Sequence, residues 1–328
     1  MSSLNTQIER LNIGTRGSPL ALWQANMTAS LLRKVHGLSQ EQVQIIVLKT
    51  SGDKIKGHLS EFGGKGLFTK ELEEALLDGR IDLAVHSMKD VPTRGHSDLS
   101  IAAVLPREDP RDALIAPPPA ASQAPPVKDI LTLPMGAKVG TASIRRRAQL
   151  ARLRPDIQFS LLRGNVGTRL AKLAAGECDA TFLASAGLKR LQQEAVITSL
   201  IPAQLMLPAP AQGAVGIEVR RSHTLALQAA AALDHFESRI AITAERGFLR
   251  ALDGSCRTPI AALAEITGNH LAFRAEVLSG DGVLKFQTQG GLDVSRRSEA
   301  QIEAALALGL NLGAKVKADI GARILWDD

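Results

Sequence analysis

Lys89 and Asp90 close the run Ile81-Asp82-Leu83-Ala84-Val85-His86-Ser87-Met88, and Pro92 stops any regular continuation. An apolar strand ending in a charged pair is where open α/β sheets place their ligands. Three further turns bring arginine to the start of a helix. Gly14-Thr15-Arg16-Gly17 precedes Ser18-Pro19, an N-cap with proline at the first helical position. Gly140-Thr141-Ala142-Ser143 precedes Ile144-Arg145-Arg146-Arg147, and Arg163-Gly164-Asn165-Val166-Gly167-Thr168-Arg169 turns a strand into the next helix. Cations in a first helical turn oppose the helix dipole by about 0.3–1 kcal/mol each, so helix stability does not explain them. Free backbone amides and planar guanidiniums at one helix end make a cup for a carboxylate or phosphate. The competing reading of each turn alone is a capped helix with a solvated basic face.

Two other features invite chemistry. Cys256 sits in the turn Asp253-Gly254-Ser255-Cys256-Arg257, where a neighbouring arginine favours a reactive thiolate, although a lone thiol in a turn reads first as structural or incidental. Cys178 leads into an apolar strand and reads as structural. Phe62-Gly63-Gly64-Lys65-Gly66 resembles a phosphate loop superficially, but Walker spacing and the Lys-Ser/Thr ending are missing. The histidines show neither HExxH nor paired-cysteine spacing, so no metal site is expected.

Composition narrows the ligand. The 328-residue chain carries a formal net charge of +6, which predicts an anionic partner. Nucleic acid is disfavoured, because the chain has no tyrosine and only two tryptophans to stack bases between basic residues. No apolar run reaches the roughly 18 residues of a membrane span, and no secretory segment precedes two widely separated cysteines. A reduced cytoplasmic chain, with neither membrane nor nucleic-acid partner, is the expectation.

The elements that must position these residues alternate. Leu11–Thr15, Gln42–Leu48, Ile81–Val85 and Ser100–Leu105 read as strands. A helix continues Leu20, Trp23, Met27, Leu31 and Val35 until Gly37, and an amphipathic helix spans Thr69–Asp78. Strand and helix in alternation predict a parallel α/β domain. Lys49–Gly66 is long for a connection inside such a unit and reads as a lid or disordered segment. Pro106–Pro134 holds eight of the fifteen prolines and reads as an irregular connector. A second α/β unit follows from Lys138, with strands at Ile157–Leu162 and Asp179–Ala184. A strand-like segment covers Gln212–Val219, beyond a hinge-like Leu207-Pro208-Ala209-Pro210. The last third changes character. Helices at Thr224–Leu233 and Ser238–Leu252 precede Pro259–Ile266, His270–Val277 and Val283–Gln287, read as a small antiparallel sheet. Ser298 and Gln301 then read as a capping box for a terminal helix through about Val316.

Taken together, the chain resembles the porphobilinogen deaminase family, also called hydroxymethylbilane synthases. The resemblance runs through Thr15–Gln24, Gly63–Phe68, Val85–Pro92, Arg107–Ala113, Leu162–Arg169, Ala186–Leu191 and Gly254–Cys256, in the family's order along nearly the whole chain. It implies two α/β domains like the lobes of periplasmic binding proteins and a C-terminal α+β domain with a small antiparallel sheet. Domain 1 would comprise 1–107 and 210–232, domain 2 108–209 and domain 3 233–328. The implied reaction joins four porphobilinogen molecules head to tail, each losing ammonia, on a dipyrromethane cofactor. Hydrolysis then releases linear hydroxymethylbilane. The resemblance assigns thioether attachment of the cofactor to Cys256 and catalysis to Asp90. Every pyrrole carries two carboxylates, which the resemblance places against Arg16, Arg145, Arg146, Arg163, Arg169 and Arg190. Around them it sets Ser18, Lys65, Ser87, Lys89, Thr141, Ser143, Gly164 and Gln212. A monomer is implied. Ala142 and Ile144 depart from the family's usual Ser and Leu, Arg147 is an additional basic residue, and the connector around Pro117–Pro126 is longer than usual. The competing function is a two-lobed binder of small carboxylates without chemistry, which has no use for a modified cysteine.

Overall fold

The computed structural model describes residues 8–50, 69–117, 126–254 and 258–324. The expected Lys49–Gly66 lid, apart from Lys49 and Thr50, and the centre of the proline-rich connector lie outside them. Two units are distinguished, residues 1–108 with 214–242, and 109–213 with 243–328.

In the first unit, β1 (Leu11–Arg16), β2 (Val43–Leu48) and β3 (Leu83–Ser87) run parallel, β1 pairing with both others. α1 (Pro19–His36) and α2 (Lys70–Leu77) supply the crossovers. The α1 boundaries follow from local chemistry. Ser18 in extended conformation accepts a hydrogen bond from the Ala21 amide, Pro19 opens the helix, and Gly37 closes it at φ 69°. The buried face of α1 is Gln24, Ala25, Thr28, Ala29, Leu32 and His36, whereas Val35 of the apolar stripe is 46% exposed. Ala25, Thr28 and Ala29 let the helix approach the sheet closely, while Leu32 adds apolar area to the same core.

β4 (Leu99–Val104) completes this sheet only through β10 (Val215–Arg220), which lies antiparallel between β3 and β4. Sheet order is β2-β1-β3-β10-β4. The parallel sheet expected from alternation is therefore mixed. A strand arriving from more than a hundred residues downstream leaves no direction signal in local periodicity.

The second unit repeats the plan. β6 (Lys138–Gly140), β7 (Gln158–Ser160) and β8 (Ala180–Ala184) are parallel, and β5 (Asp112–Ile115) pairs antiparallel with both β8 and the short β9 (Ser199–Leu200). Sheet order is β7-β6-β8-β5-β9. β5 lies inside the stretch expected to be irregular, because its four fully buried residues are too few to outweigh the flanking prolines in a sequence pattern. Helices α3 (Ile144–Leu153), α4 (Val166–Ala174) and α5 (Ser185–Arg190) follow strand ends. Separate apolar clusters cover the two faces of this sheet, one around Leu114, Val139 and Phe182, the other around Ile115, Leu162 and Leu183.

Helices α6 (Thr224–Ala231) and α7 (Phe236–Ala251) lead to an antiparallel sheet of β11 (Ile260–Thr267), β12 (His270–Leu278) and β13 (Lys285–Asp293), closed by α8 (Glu299–Ile320). The expected capping box does not form. Ser298 makes no side-chain cap bond, and the Gln301 amide donates instead to the Asp293 carbonyl at 3.0 Å. α8 meets α7 through Gly309 and Gly313. A Cβ at Gly309 would fall inside contact distance of the Ala244 carbonyl oxygen, a backbone atom with nowhere to move. Gly309→Ala should therefore lower stability by about 1–3 kcal/mol through overpacking, despite alanine's better helix propensity. A thermal melt equal to the parent's would contradict this packing. Among the described residues no helix is long and apolar enough to cross a membrane.

Candidate functional site

In the first unit, the strand ends build one pocket. Arg16 is the last residue of β1, Ser18 caps α1, and Ser87 ends β3, directly before the 3-10 turn Met88–Asp90. Arg16, Ser18, Ser87 and Asp90 all line the same pocket, with Gln24, Thr69 and His86. The parallel β1–β3 pairing brings these groups, more than seventy residues apart in sequence, to one sheet edge. Gln24, 2% exposed, holds Ser87 from the helix side: its Nε2 donates to Ser87 Oγ at 2.9 Å. His86 and Glu218 form a buried pair, Nε2 to Oε2 at 2.9 Å. Asp90 and Lys89 are exposed. A carboxylate reachable from solvent, with a guanidinium and hydroxyls on the same pocket, can accept an N–H hydrogen bond and exchange a proton while the arginine holds an acid group.

In the second unit the arginine-bearing turns separate into two kinds. Ser143 caps α3 as expected, accepting from the Arg146 amide at 3.4 Å, while Thr141 Oγ1 accepts from the Ser143 amide at 3.1 Å. Arg145 and Arg146, the first-turn cations that opposed the dipole, are buried against an acid the sequence reading left without a role. Arg146 Nη2 donates to Asp112 Oδ1 at 2.7 Å, and Arg145 Nη2 lies 2.8 Å from Asp112 Oδ2. Gln212 joins them, its Nε2 donating to Asp112 Oδ1 at 2.8 Å and to the Pro110 carbonyl at 2.7 Å. Arg163 is of the other kind. It is half-buried and has neither a hydrogen bond nor an ion pair among the described residues. Asn165 caps α4 by accepting from the Thr168 amide at 2.9 Å. Gly164 takes φ 118°, where a side chain would meet Thr168, and its carbonyl accepts from Arg169 Nε at 2.8 Å. Arg190, 8% exposed, donates to the Gly213 carbonyl at 2.7 Å. Lys65 and Cys256 lie outside the described residues. Cys178 is 3% exposed, and burial pushes its thiol up.

Burial alone would raise the Asp112 pKa. The two guanidiniums, with hydrogen bonds from Arg146 and Gln212, more than offset it and hold the carboxyl well below the usual carboxylate range. Since the folded value lies below the unfolded one, the stability it contributes is complete above the unfolded pKa near 4 and is lost as pH falls towards the folded value. The melting temperature should consequently decline on acidification below about pH 4, with a shallower decline in Asp112→Asn. Equal acid limbs would remove Asp112 from that role.

Sequence reasoning missed Asp112, Gln24, and the pair His86 and Glu218. Asp112, Gln24 and His86 stand inside the stretches that carry the resemblance, but only tertiary pairing shows what they touch. Among the described residues no group of three or more His, Cys, Asp or Glu side chains is placed to hold a metal ion. An acid-bearing organic ligand fits better. The donors are guanidiniums at capped helix starts, and Arg145 Nε is a buried donor without a hydrogen-bond partner among the described residues.

Comparison with known proteins points to such a ligand. Residues 11–228 match the family model described as "Porphobilinogen deaminase, dipyromethane cofactor binding domain", and residues 239–318 match "Porphobilinogen deaminase, C-terminal domain". A porphobilinogen deaminase of Nitrobacter hamburgensis is 46% identical over 312 residues, covering 95% of this chain and 94% of that protein. Among solved structures, the BvgS VFT2 domain of Bordetella pertussis is 17% identical, with a TM-score of 0.42 over 71% of this chain and 91% of its own. A substrate binding protein of an amino acid ABC transporter is 14% identical, with a TM-score of 0.37 over 68% and 90%.

Proposed function

Because the chain belongs to the porphobilinogen deaminase family, and is thereby a hydroxymethylbilane synthase, we propose that Asp90 is its catalytic acid–base group. The observation that carries this reading is the shared pocket of Asp90, Arg16, Ser18 and Ser87 at the ends of β1 and β3. Its substrate is porphobilinogen, and its cofactor a dipyrromethane. When bound, the dipyrromethane supplies the free pyrrole α-carbon to which substrate units are joined. The residues of this chain do the rest. An Asp90 carboxylate oxygen accepts the pyrrole N–H, stabilises the positive charge that develops as ammonia departs, and receives the proton lost from the attacking α-carbon. The departing amine has by then taken a proton from Asp90, and the α-carbon proton replaces it, so each condensation is proton-neutral.

Arginine suits the other half of the task. Its planar fork binds carboxylates in two-point contact and stays charged at every working pH. Arg16, Arg145, Arg146, Arg163, Arg169 and Arg190 bind acetate and propionate groups. Ser18, Ser87, Lys65, Lys89, Thr141, Ser143, Gly164 and Gln212 complete the binding set, and Cys256 carries the thioether. The division proposed is domain 1 at 1–107 and 210–232, domain 2 at 108–209 and domain 3 at 233–328, with the protein a cytoplasmic monomer. The test is ammonia release from porphobilinogen by the purified chain. One ammonia per porphobilinogen consumed, with a linear pyrrole product, is expected; binding without ammonia release supports the non-enzymatic carboxylate binder and overturns the assignment.

A further inference from the structure

Asp112 opens β5 with a side chain that is 0% exposed, and three side chains assigned above to ligand binding converge on it. Arg146 uses every nitrogen of its guanidinium. Nε and Nη2 donate to Asp112 Oδ1 at 3.2 and 2.7 Å, and Nη1 donates to the Phe182 carbonyl at 2.8 Å. Arg145 spends Nη2 on Asp112 Oδ2, and its Nη1 donates to the Leu207 carbonyl at 2.8 Å. Its Nε remains, buried and without a hydrogen-bond partner among the described residues. Glu276 also acts on Arg145, but Lys285 neutralises it at 3.0 Å. The remaining cluster holds two guanidiniums and one carboxylate, a net charge of +1 by subtraction. Without the carboxylate, two buried cations would face each other at a cost that burial amplifies.

We propose that Asp112 is a positioning and selectivity residue for the pyrrole-chain carboxylates. It locks both guanidinium planes and the Gln212 amide, and it halves the charge they present. The cluster then matches a single monoanionic carboxylate and discriminates against a dianion such as phosphate, which a bare pair of arginines would favour. This inference rests on the deaminase reading, but half of its test does not.

The experiment uses the full chain and compares the parent with two variants, Asp112→Asn and Asp112→Glu. Thermal shift against inorganic phosphate and against acetate gives an apparent affinity ratio that needs neither cofactor nor turnover. The parent should favour acetate relative to Asp112→Asn, with the phosphate-to-acetate ratio rising at least tenfold in the variant. Intact mass gives the fraction of chains carrying the dipyrromethane adduct, which should fall severalfold in both variants. A folded Asp112→Asn with an affinity ratio within twofold of the parent's overturns the selectivity role. Should Asp112→Asn fail to fold, Asp112→Glu decides: its charge is retained but its fork displaced, so the ratio should hold while adduct occupancy falls, and parental occupancy overturns the positioning role. A parent chain with neither adduct nor turnover, by contrast, overturns the deaminase reading and leaves the anion ratio to stand or fall separately.

Discussion

Asp90→Asn should retain the dipyrromethane adduct yet lose about two to four orders of magnitude in turnover, the range that a positioned acid–base group supplies. The substitution is nearly isosteric and the side chain is exposed, so folding should be unaffected. What it removes is the negative charge beneath the pyrrole N–H and the site that receives the α-carbon proton. Arg16, Ser18 and Ser87 would remain, and with them the capacity to hold substrate carboxylates. Ammonia release with a parallel intact-mass measurement checks both halves. Turnover near the parent's would remove Asp90 from the chemistry, and loss of the adduct would make it an assembly residue instead.

The second large effect separates arginines that the sequence leaves equivalent. Arg146→Leu strips Asp112 of two hydrogen bonds and leaves the Phe182 carbonyl without its donor, so it should cost about 3–5 kcal/mol, the range for breaking a buried ion pair. Arg163→Leu breaks no hydrogen bond or ion pair among the described residues, and its stability should stay within about 0.5 kcal/mol of the parent. Its activity should nevertheless fall, since Arg163 keeps its guanidinium without a hydrogen bond or ion pair among the described residues. Melts of the two variants side by side give the answer. Equal destabilisation would mean that Arg163 is structural after all.

This separation marks the limit of what could be read from residues alone. Local chemistry was legible wherever a few neighbouring side chains decide the outcome. Ser18 with Pro19, Gly37, and Ser143 start and stop their helices as their types dictate. The charged turn at Lys89 and Asp90 was legible for the same reason, because an apolar strand that breaks off is a local event; the role of Asp90 came from the resemblance alone. Strand direction was not legible, since β10 reaches the first sheet from beyond the whole of the second. β5 was hidden by its brevity and its prolines. The Ser298–Gln301 box is not made: Gln301 Nε2 donates to the Asp293 carbonyl, and its Oε1, the atom that would accept from the Ser298 amide, has no hydrogen-bond partner among the described residues. Asp112 was invisible as a partner, since nothing near residue 112 announces two guanidiniums from residues 145 and 146. A long-range ion pair leaves each member looking like a surface charge.

The central claim is that this chain is built to carry its growing product on Cys256, and intact mass of the purified protein tests it most directly. The native chain should exceed its sequence mass by a two-pyrrole adduct and give a positive aldehyde colour reaction, both lost in Cys256→Ser along with ammonia release. An unmodified Cys256 in a chain that still condenses porphobilinogen would contradict the account.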